Sequence, residues 1–260
     1  GTSSGSYNNN TIVLNGTGTA VFVNSSLNTI ENNTIIATNG TGLNYRTGGI
    51  SIFFSGNVIT SSGYAVDLSA GTGTRIIHNS SLTSTQNSPF ITTLSSAPLV
   101  FNNTIFRSLS NFTWIDTQGG TFLINMSNIT FENQLGKVTF LEYFNNSFTT
   151  QNRGINYTEI NFSSAQLRVD TVHEPLLNGS ANITFFNTNV TTAKVEVSYA
   201  DTGTFVNCPA ANCTDVTLNG GNLSFNVDQF TTYRGIEGIG CGTITTDTTL
   251  ENDILSDGTC

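Results

Sequence analysis

Carboxylates and imidazoles are the groups most able to do chemistry, and this 260-residue chain holds few of them. Asp67 and Asp116 stand 49 residues apart. Two carboxyls held about 6.5–9.5 Å apart could hydrolyse a glycosidic bond with inversion, so that pair is the first to weigh. Glu31, Glu132, Glu142 and Glu159 are the remaining carboxylates before residue 165, and none has another within nine residues. His78 and His173 are the only histidines, and no G-x-S-x-G accompanies them, so a Ser-His-Asp relay lacks its parts. His78 reads as a turn residue and His173, before Glu174-Pro175, as part of a connector. The Gly-rich stretch 39–49 lacks the lysine of a phosphate loop. Asp201-Thr202-Gly203 and Asp257-Gly258 could each offer calcium oxygens, but neither forms a full loop. Trp114, the single tryptophan, reads as core. We therefore expect no catalytic residue, no metal, no cofactor and no enzyme, with Asp67 and Asp116 as polar residues of a solvent face.

Asparagine and cysteine carry more signal. The pattern N-x-[ST] occurs at Asn9, Asn15, Asn24, Asn32, Asn39, Asn79, Asn102, Asn111, Asn125, Asn128, Asn145, Asn156, Asn161, Asn178, Asn182, Asn189, Asn212 and Asn222. Chance pairing with Ser and Thr would give roughly half as many under the sequon rule. Covalent glycans are expected, although turns that repeat Asn-Asn-Thr also create sequons without one. The cysteines are Cys208, Cys213, Cys241 and Cys260. Four cysteines allow three connectivities; the spacing favours 208–213, a short loop around Pro209, with 241–260. A four-thiolate metal site is the alternative, but the spacing is not that of a zinc ribbon. Disulfides persist in oxidising compartments, and together with the sequons they point to the cell surface or the extracellular space.

Composition narrows the field further. Lys and Arg number 8 against 17 Asp and Glu, for a net charge of −9. No basic footprint exists for phosphate backbones, so nucleic acid is excluded as a partner. No apolar run approaches the 18 or so residues of a membrane-crossing helix. The chain opens at Gly1 without a signal peptide, as a mature product or an excised part would.

The elements that position these residues are short and repeat. Ile50–Phe54 and Leu99–Phe101 are β-forming runs of strand length. Asn-Asn-Thr-Ile recurs at Asn9, Asn32 and Asn102, with weaker versions between and after. Marking the second position of each gives 10, 33, 57, 80, 103, 128 and 146, with steps of 23, 24, 23, 23, 25 and 18. A period near 23 belongs to leucine-rich repeats or to a parallel β-helix. Few leucines, few helix formers and Gly, Ser or Thr at each break favour the β-helix, with about seven coils of three strands. Asn tolerates the left-handed conformation of a tight corner, and stacked Asn side chains can bond to the coil above and below. Asp67 and Asp116 then fall about two coils, or ~10 Å, apart on one face.

Residues Asn8–Phe54 and Asn102–Phe131 resemble the right-handed parallel β-helix repeats of pectin-active enzymes, viral tailspikes and prokaryotic surface proteins. The resemblance implies a β-helix over residues 1–165. The beat then stops. Alternating segments at Gln166–Asp170, Asn182–Phe186, Ala193–Tyr199, Asp215–Leu218 and Asn222–Val227 argue a small antiparallel β-sandwich over 166–235. Ala181–Phe185 and Gly221–Tyr233 resemble the β-sandwich modules of archaeal cell-surface proteins, where a short disulfide often sits as Cys208–Cys213 does. The tail, 236–260, runs from Cys241-Gly242-Thr243 through Leu250-Glu251-Asn252-Asp253 to Cys260 and resembles the opening of archaeal β-helix surface domains. Here it follows the sandwich, while the first coil begins near Tyr7 without a cap. We expect a non-enzymatic homo-polymer, a glycosylated filament or surface-layer subunit whose tail links head-to-tail to the next copy. The alternatives are a carbohydrate-binding adhesin or tailspike-like depolymerase, or one unit cut from a longer tandem protein.

Overall fold

A computed structural model describes residues 5–24, 27–46, 52–68, 74–93, 99–109, 113–118, 122–148, 155–156, 160–172, 175–188, 193–199 and 203–237. The first rung holds β1 (Gly5–Asn8) and β2 (Thr11–Val23); the second holds β3 (Leu27–Glu31) and β4 (Thr34–Tyr45). Shorter strands make the third, β5 (Ile52–Ser55), β6 (Val58–Ser61) and β7 (Val66–Leu68), and the fourth, β8 (Arg75–His78), β9 (Ser81–Ser84) and β10 (Phe90–Thr93). The fifth is β11 (Leu99–Ser108) and β12 (Thr113–Gln118), and β13 (Phe122–Glu132) opens the sixth. Each rung pairs in parallel with the next. One face runs β1–β3–β5–β8–β11–β13. A second runs β2–β4–β6–β9–β11–β13, and a third runs β2–β4–β7–β10–β12. The chain is a parallel β-helix, as its period predicts.

Strand alternation fills the interior. β5 and β8 each bury every second residue, and columns of Ile, Leu and Phe stack along the axis, among them Ile35, Ile59, Leu82 and Phe106 at 0–1 % exposure. Two corners have distinct chemistry. Between the first and second faces a left-handed residue recurs at Asn9, Asn32, Gly56, Asn79, Asn103 and Asn128, with φ from 46° to 66°. Only Gly, and Asn among ordinary residues, enters that region at low cost. Between the second and third faces Gly18 and Gly40 stack in register, and the Gly63 N–H donates to the Gly40 carbonyl.

The parallel stack ends earlier than the period suggests. Position 146, marked as a seventh coil, lies in β14 (Gly136–Phe148), which runs antiparallel to β13. Asn133 turns the chain: its Oδ1 accepts the N–H groups of Leu135 and Gly136. A Cβ on Gly136 would come within 2.6 Å of the Thr184 carbonyl oxygen, so the close approach of the neighbouring strand at residues 181–185 favours glycine there. The odd final step of 18 residues was the signal of this reversal.

From β14 the second face continues without a break into the sandwich. β14 pairs with β18 (Ala181–Phe185), β18 with β22 (Asn222–Val227), and β22 with β21 (Cys213–Asn219), all antiparallel. β15 (Ile155–Asn156) closes the third face antiparallel to β12. A five-stranded sheet covers this extension, in the order β16 (Ile160–Ser163), β17 (Gln166–Val169), β23 (Thr232–Glu237), β19 (Ala193–Ser198), β20 (Val206–Asn207). Gly220 and Gly221, both at positive φ, make the turn between β21 and β22. The core is equally continuous. Ring contacts lead from Phe90 through Phe101, Phe106, Phe131 and Phe140 to Phe230, then to Tyr233, Phe225 and Phe185. The sandwich thus seals the C-terminal end of the β-helix. The residue-165 boundary expected between the modules falls in the turn joining β16 to β17.

Candidate functional site

The opposite end of the stack has no such seal among the described residues. β1 pairs only with β3 and β2 only with β4, so one edge of the first rung is left unpaired. Side-chain burial reflects this. Tyr7, Ile12 and Leu14 point inward yet are only half-buried, whereas Ile30, Ile35 and Ala37 in the same columns one rung on are at 0–1 %.

A polar ladder runs inside the first corner and ends at that edge. The residue after each left-handed position points inward: Asn10, Asn33, Asn57, Ser80 and Thr104. Asn33 Oδ1 accepts from the backbone N–H and the Nδ2 of Asn10, and Asn57 Oδ1 does the same for Asn33. Ser80 Oγ accepts the Asn57 N–H. Donors also reach back one rung, from Asn33 Nδ2 to the Tyr7 carbonyl, Asn57 Nδ2 to Ile30, and Thr104 Oγ1 to Ile77. For Asn10 no earlier rung stands among the described residues, and its Nδ2 bonds to the Asn8 carbonyl, at 2.9 Å. Deeper in the stack the equivalents of that carbonyl, on Glu31, Ser55, His78 and Asn102, accept the N–H of Asn9, Asn32, Gly56 and Asn79. Asn8 Oδ1 is buried with no hydrogen-bond partner. Among the described residues, the first rung therefore keeps an open strand edge and one buried polar atom without a partner.

The sequence pattern treated corner and ladder as one column, and the structure separates them. Positions 10, 33, 57 and 80 lie on the ladder, but 103 and 128 are corner residues whose inward neighbours are Thr104 and Ile129. An outer ladder forms there, with Asn103 Nδ2 donating to Asn79 Oδ1 and Asn128 Nδ2 to Asn103 Oδ1. His78 ends β8, one place before the corner, and its ring lies 5.4 Å from that of Phe53.

Most sequon asparagines among the described residues face outward. Asn9, Asn15, Asn24, Asn32, Asn39, Asn79, Asn102, Asn128, Asn161 and Asn178 are exposed, and Asn125, Asn182, Asn212 and Asn222 are half-buried. The buried asparagines, Asn33, Asn44, Asn57 and Asn133, are not sequons. Asn145 and Asn156 lie in β14 and β15; Asn111 and Asn189 are outside the described residues. Cys208 and Cys213 form a disulfide, and the Cys213 N–H closes the loop onto the Pro209 carbonyl. Cys241 and Cys260, with the tail expected over 236–260, lie outside the described residues except for Ile236 and Glu237.

Asp67 and Asp116 share a column on the third face, separated by Ile91. Asp67 is engaged by Asn44 Nδ2 at 2.7 Å. Among the described residues no three His, Cys, Asp or Glu side chains gather. Trp114 is 4 % exposed and packs on Phe131, as a core residue does. Sequence reading missed Arg75, a cation at 0 % exposure between Ile52 and Leu99. Its guanidinium donates to Thr92 Oγ1, and burial lowers its pKa to about 10. Its place in the Ile50–Phe54 column, one period on, was the available signal. Burial, with the charges of Tyr199 and Asp228, raises the pKa of Tyr233, whose hydroxyl donates to the Gln229 carbonyl. No helix among the described residues is long and apolar enough to cross a membrane. Comparison with protein-family models, curated proteins and solved structures found no match.

Proposed function

We propose that this chain is a non-enzymatic structural subunit of an extracellular filament or surface layer, of the kind archaeal cells carry, assembling head-to-tail into a homo-polymer. The observation that carries this reading is the asymmetry of the stack, which continues into the sandwich at one end and, among the described residues, has no strand paired to its first rung at the other. Unpaired strand edges template the addition of another strand. In a stack with one sealed end, that addition propagates along a single axis. A heterologous contact that does not close on itself generates a fibre. The tail, residues 236–260, links each copy to the bare rung of the next. Glycans on the exposed corner and face asparagines limit lateral contact and leave the axial edge free. The Cys208–Cys213 disulfide and the sequons support a location outside the cell.

A carbohydrate-active role would rest on Asp67 and Asp116. Their shared column supplies the spacing, but the Asp67 carboxylate is committed to Asn44. Deleting residues 236–260 tests the linkage. Assembly, followed by sedimentation, should disappear while the circular dichroism and melting of the β-helix persist. Polymers unchanged by the deletion would overturn it.

A further inference from the structure

The tail carries one more copy of the corner motif. Thr249-Leu250-Glu251-Asn252-Asp253-Ile254-Leu255 follows the pattern of Thr29-Ile30-Glu31-Asn32-Asn33-Thr34-Ile35, with Glu and Asn identical at the two positions that end at the left-handed corner. In the second rung those positions are an inward Ile30, the corner Asn32, the ladder residue Asn33 and an inward Ile35. We infer, resting on the head-to-tail reading above, that residues 249–255 of a second copy add to the first rung in one register, as a rung preceding β1 and β2. Asn252 then stacks on Asn9, Leu250 on Tyr7 and Leu255 on Ile12.

Several unmet groups of the open edge find partners in that register. Asn9, Asn32, Gly56 and Asn79 each donate a backbone N–H to the next rung, so Asn252 donates to the Asn8 carbonyl. Asn10 Nδ2, released from that carbonyl, takes the reach-back bond its counterparts Asn33 and Asn57 make, here to Leu250. The Asp253 N–H donates to Asn10 Oδ1, and the Asp253 carbonyl accepts the Thr11 N–H as the Asn10 carbonyl accepts that of Thr34. Asp253 brings a carboxylate where the ladder has an amide, so its backbone alone supplies the donor. Leu250 and Leu255 cover Tyr7 and Ile12, which are half-exposed without them.

Chain length selects a second copy over the same one. Glu237 ends β23, whose Gly235 lies against Leu223 of β22 and Phe185 of β18. Along the second face β18 is seven strand steps from β2, and β22 is eight. A rung placed before β2 is thus eight or nine steps away, about 38–43 Å at the usual strand spacing. The twelve residue steps from Glu237 to Thr249 reach about 40–43 Å fully extended. Folding back onto its own first rung would stretch the tail taut and leave nothing to round the edge of the sheet. The next copy along the axis would bring its first rung to the end of the molecule that holds β23.

Cross-linking in the full 260-residue chain reads both the register and the partner. Outward positions pair as Thr11 with Ile254 and Val13 with Ser256. Single-cysteine additions Thr11→Cys, Val13→Cys, Ile254→Cys and Ser256→Cys are made separately, mixed in pairs, co-assembled and oxidised. The matched mixtures, T11C with I254C and V13C with S256C, should give at least tenfold more cross-linked dimer than the crossed ones, T11C with S256C and V13C with I254C. Equal yields, or none in samples that do polymerise, would overturn the register and leave the head-to-tail reading standing. A cross-link confined to single chains in the doubly substituted protein would overturn the second copy as occupant. Wild-type samples that never polymerise would remove the reading on which the inference rests.

Discussion

Asparagine does three separate jobs in this chain, and conformation decides which. At the corner it accepts a left-handed backbone, one residue later it fills an internal ladder, and on the outside it sits in sequons. Asn32 and Asn33 show the split: adjacent and chemically identical, one is exposed and the other 1 % exposed. The repeat was legible because both jobs recur every 23 to 25 residues. Their separation was not, since a period cannot tell neighbouring columns apart where both hold Asn. Asn33 accepts two bonds from Asn10 and donates to Asn57 and Tyr7. Removing a buried partner leaves its mates unsatisfied at about 1–3 kcal/mol each. Asn33→Ala should therefore cost about 3 kcal/mol, read as a lower denaturant midpoint. Asn10→Ala, at the open edge, should cost less than half as much; equal losses would show that the ladder has no special value inside.

At the scale of elements, strands and turns were largely written in the sequence, because alternation and β-branched runs give them directly. The reversal after Glu132 was not, since β14 carries an Asn-Asn-Ser-Phe sequence that fits the repeat. Beyond the short final step of 18 residues, only the turn at Asn133 and the glycine at 136 distinguish a hairpin from another coil. The glycine corner also escaped notice, being hidden in a chain with 25 glycines. A Cβ on Gly40 would lie 2.0 Å from the Gly18 carbonyl oxygen, which is backbone and cannot swing aside. Gly40→Ala should destabilise by about 3 kcal/mol, the upper part of the usual overpacking range. Gly16→Ala meets nothing within 4 Å and should be close to neutral. Equal melting temperatures for the two variants would mean that the second corner is not a tight stack.

Two sheets enclose one continuous core, and among the described residues the stack is covered at one end and has an unpaired first rung at the other. The sequence revealed its two architectures but not their fusion, because continuity depends on which edges pair, and pairing between distant strands leaves no local mark. Phe131, Phe140 and Phe230 come from both modules and pack ring against ring. That join packs the two modules around a shared core, as the proposed axial assembly would need. Electron microscopy of native, non-recombinant material tests the central claim most directly. The account predicts continuous fibres with an axial repeat on the order of 50 Å, set by ten or eleven strand levels per subunit, and density for each copy's tail lying across its neighbour's first rung. Isolated particles, or fibres whose first rungs remain bare, would contradict it.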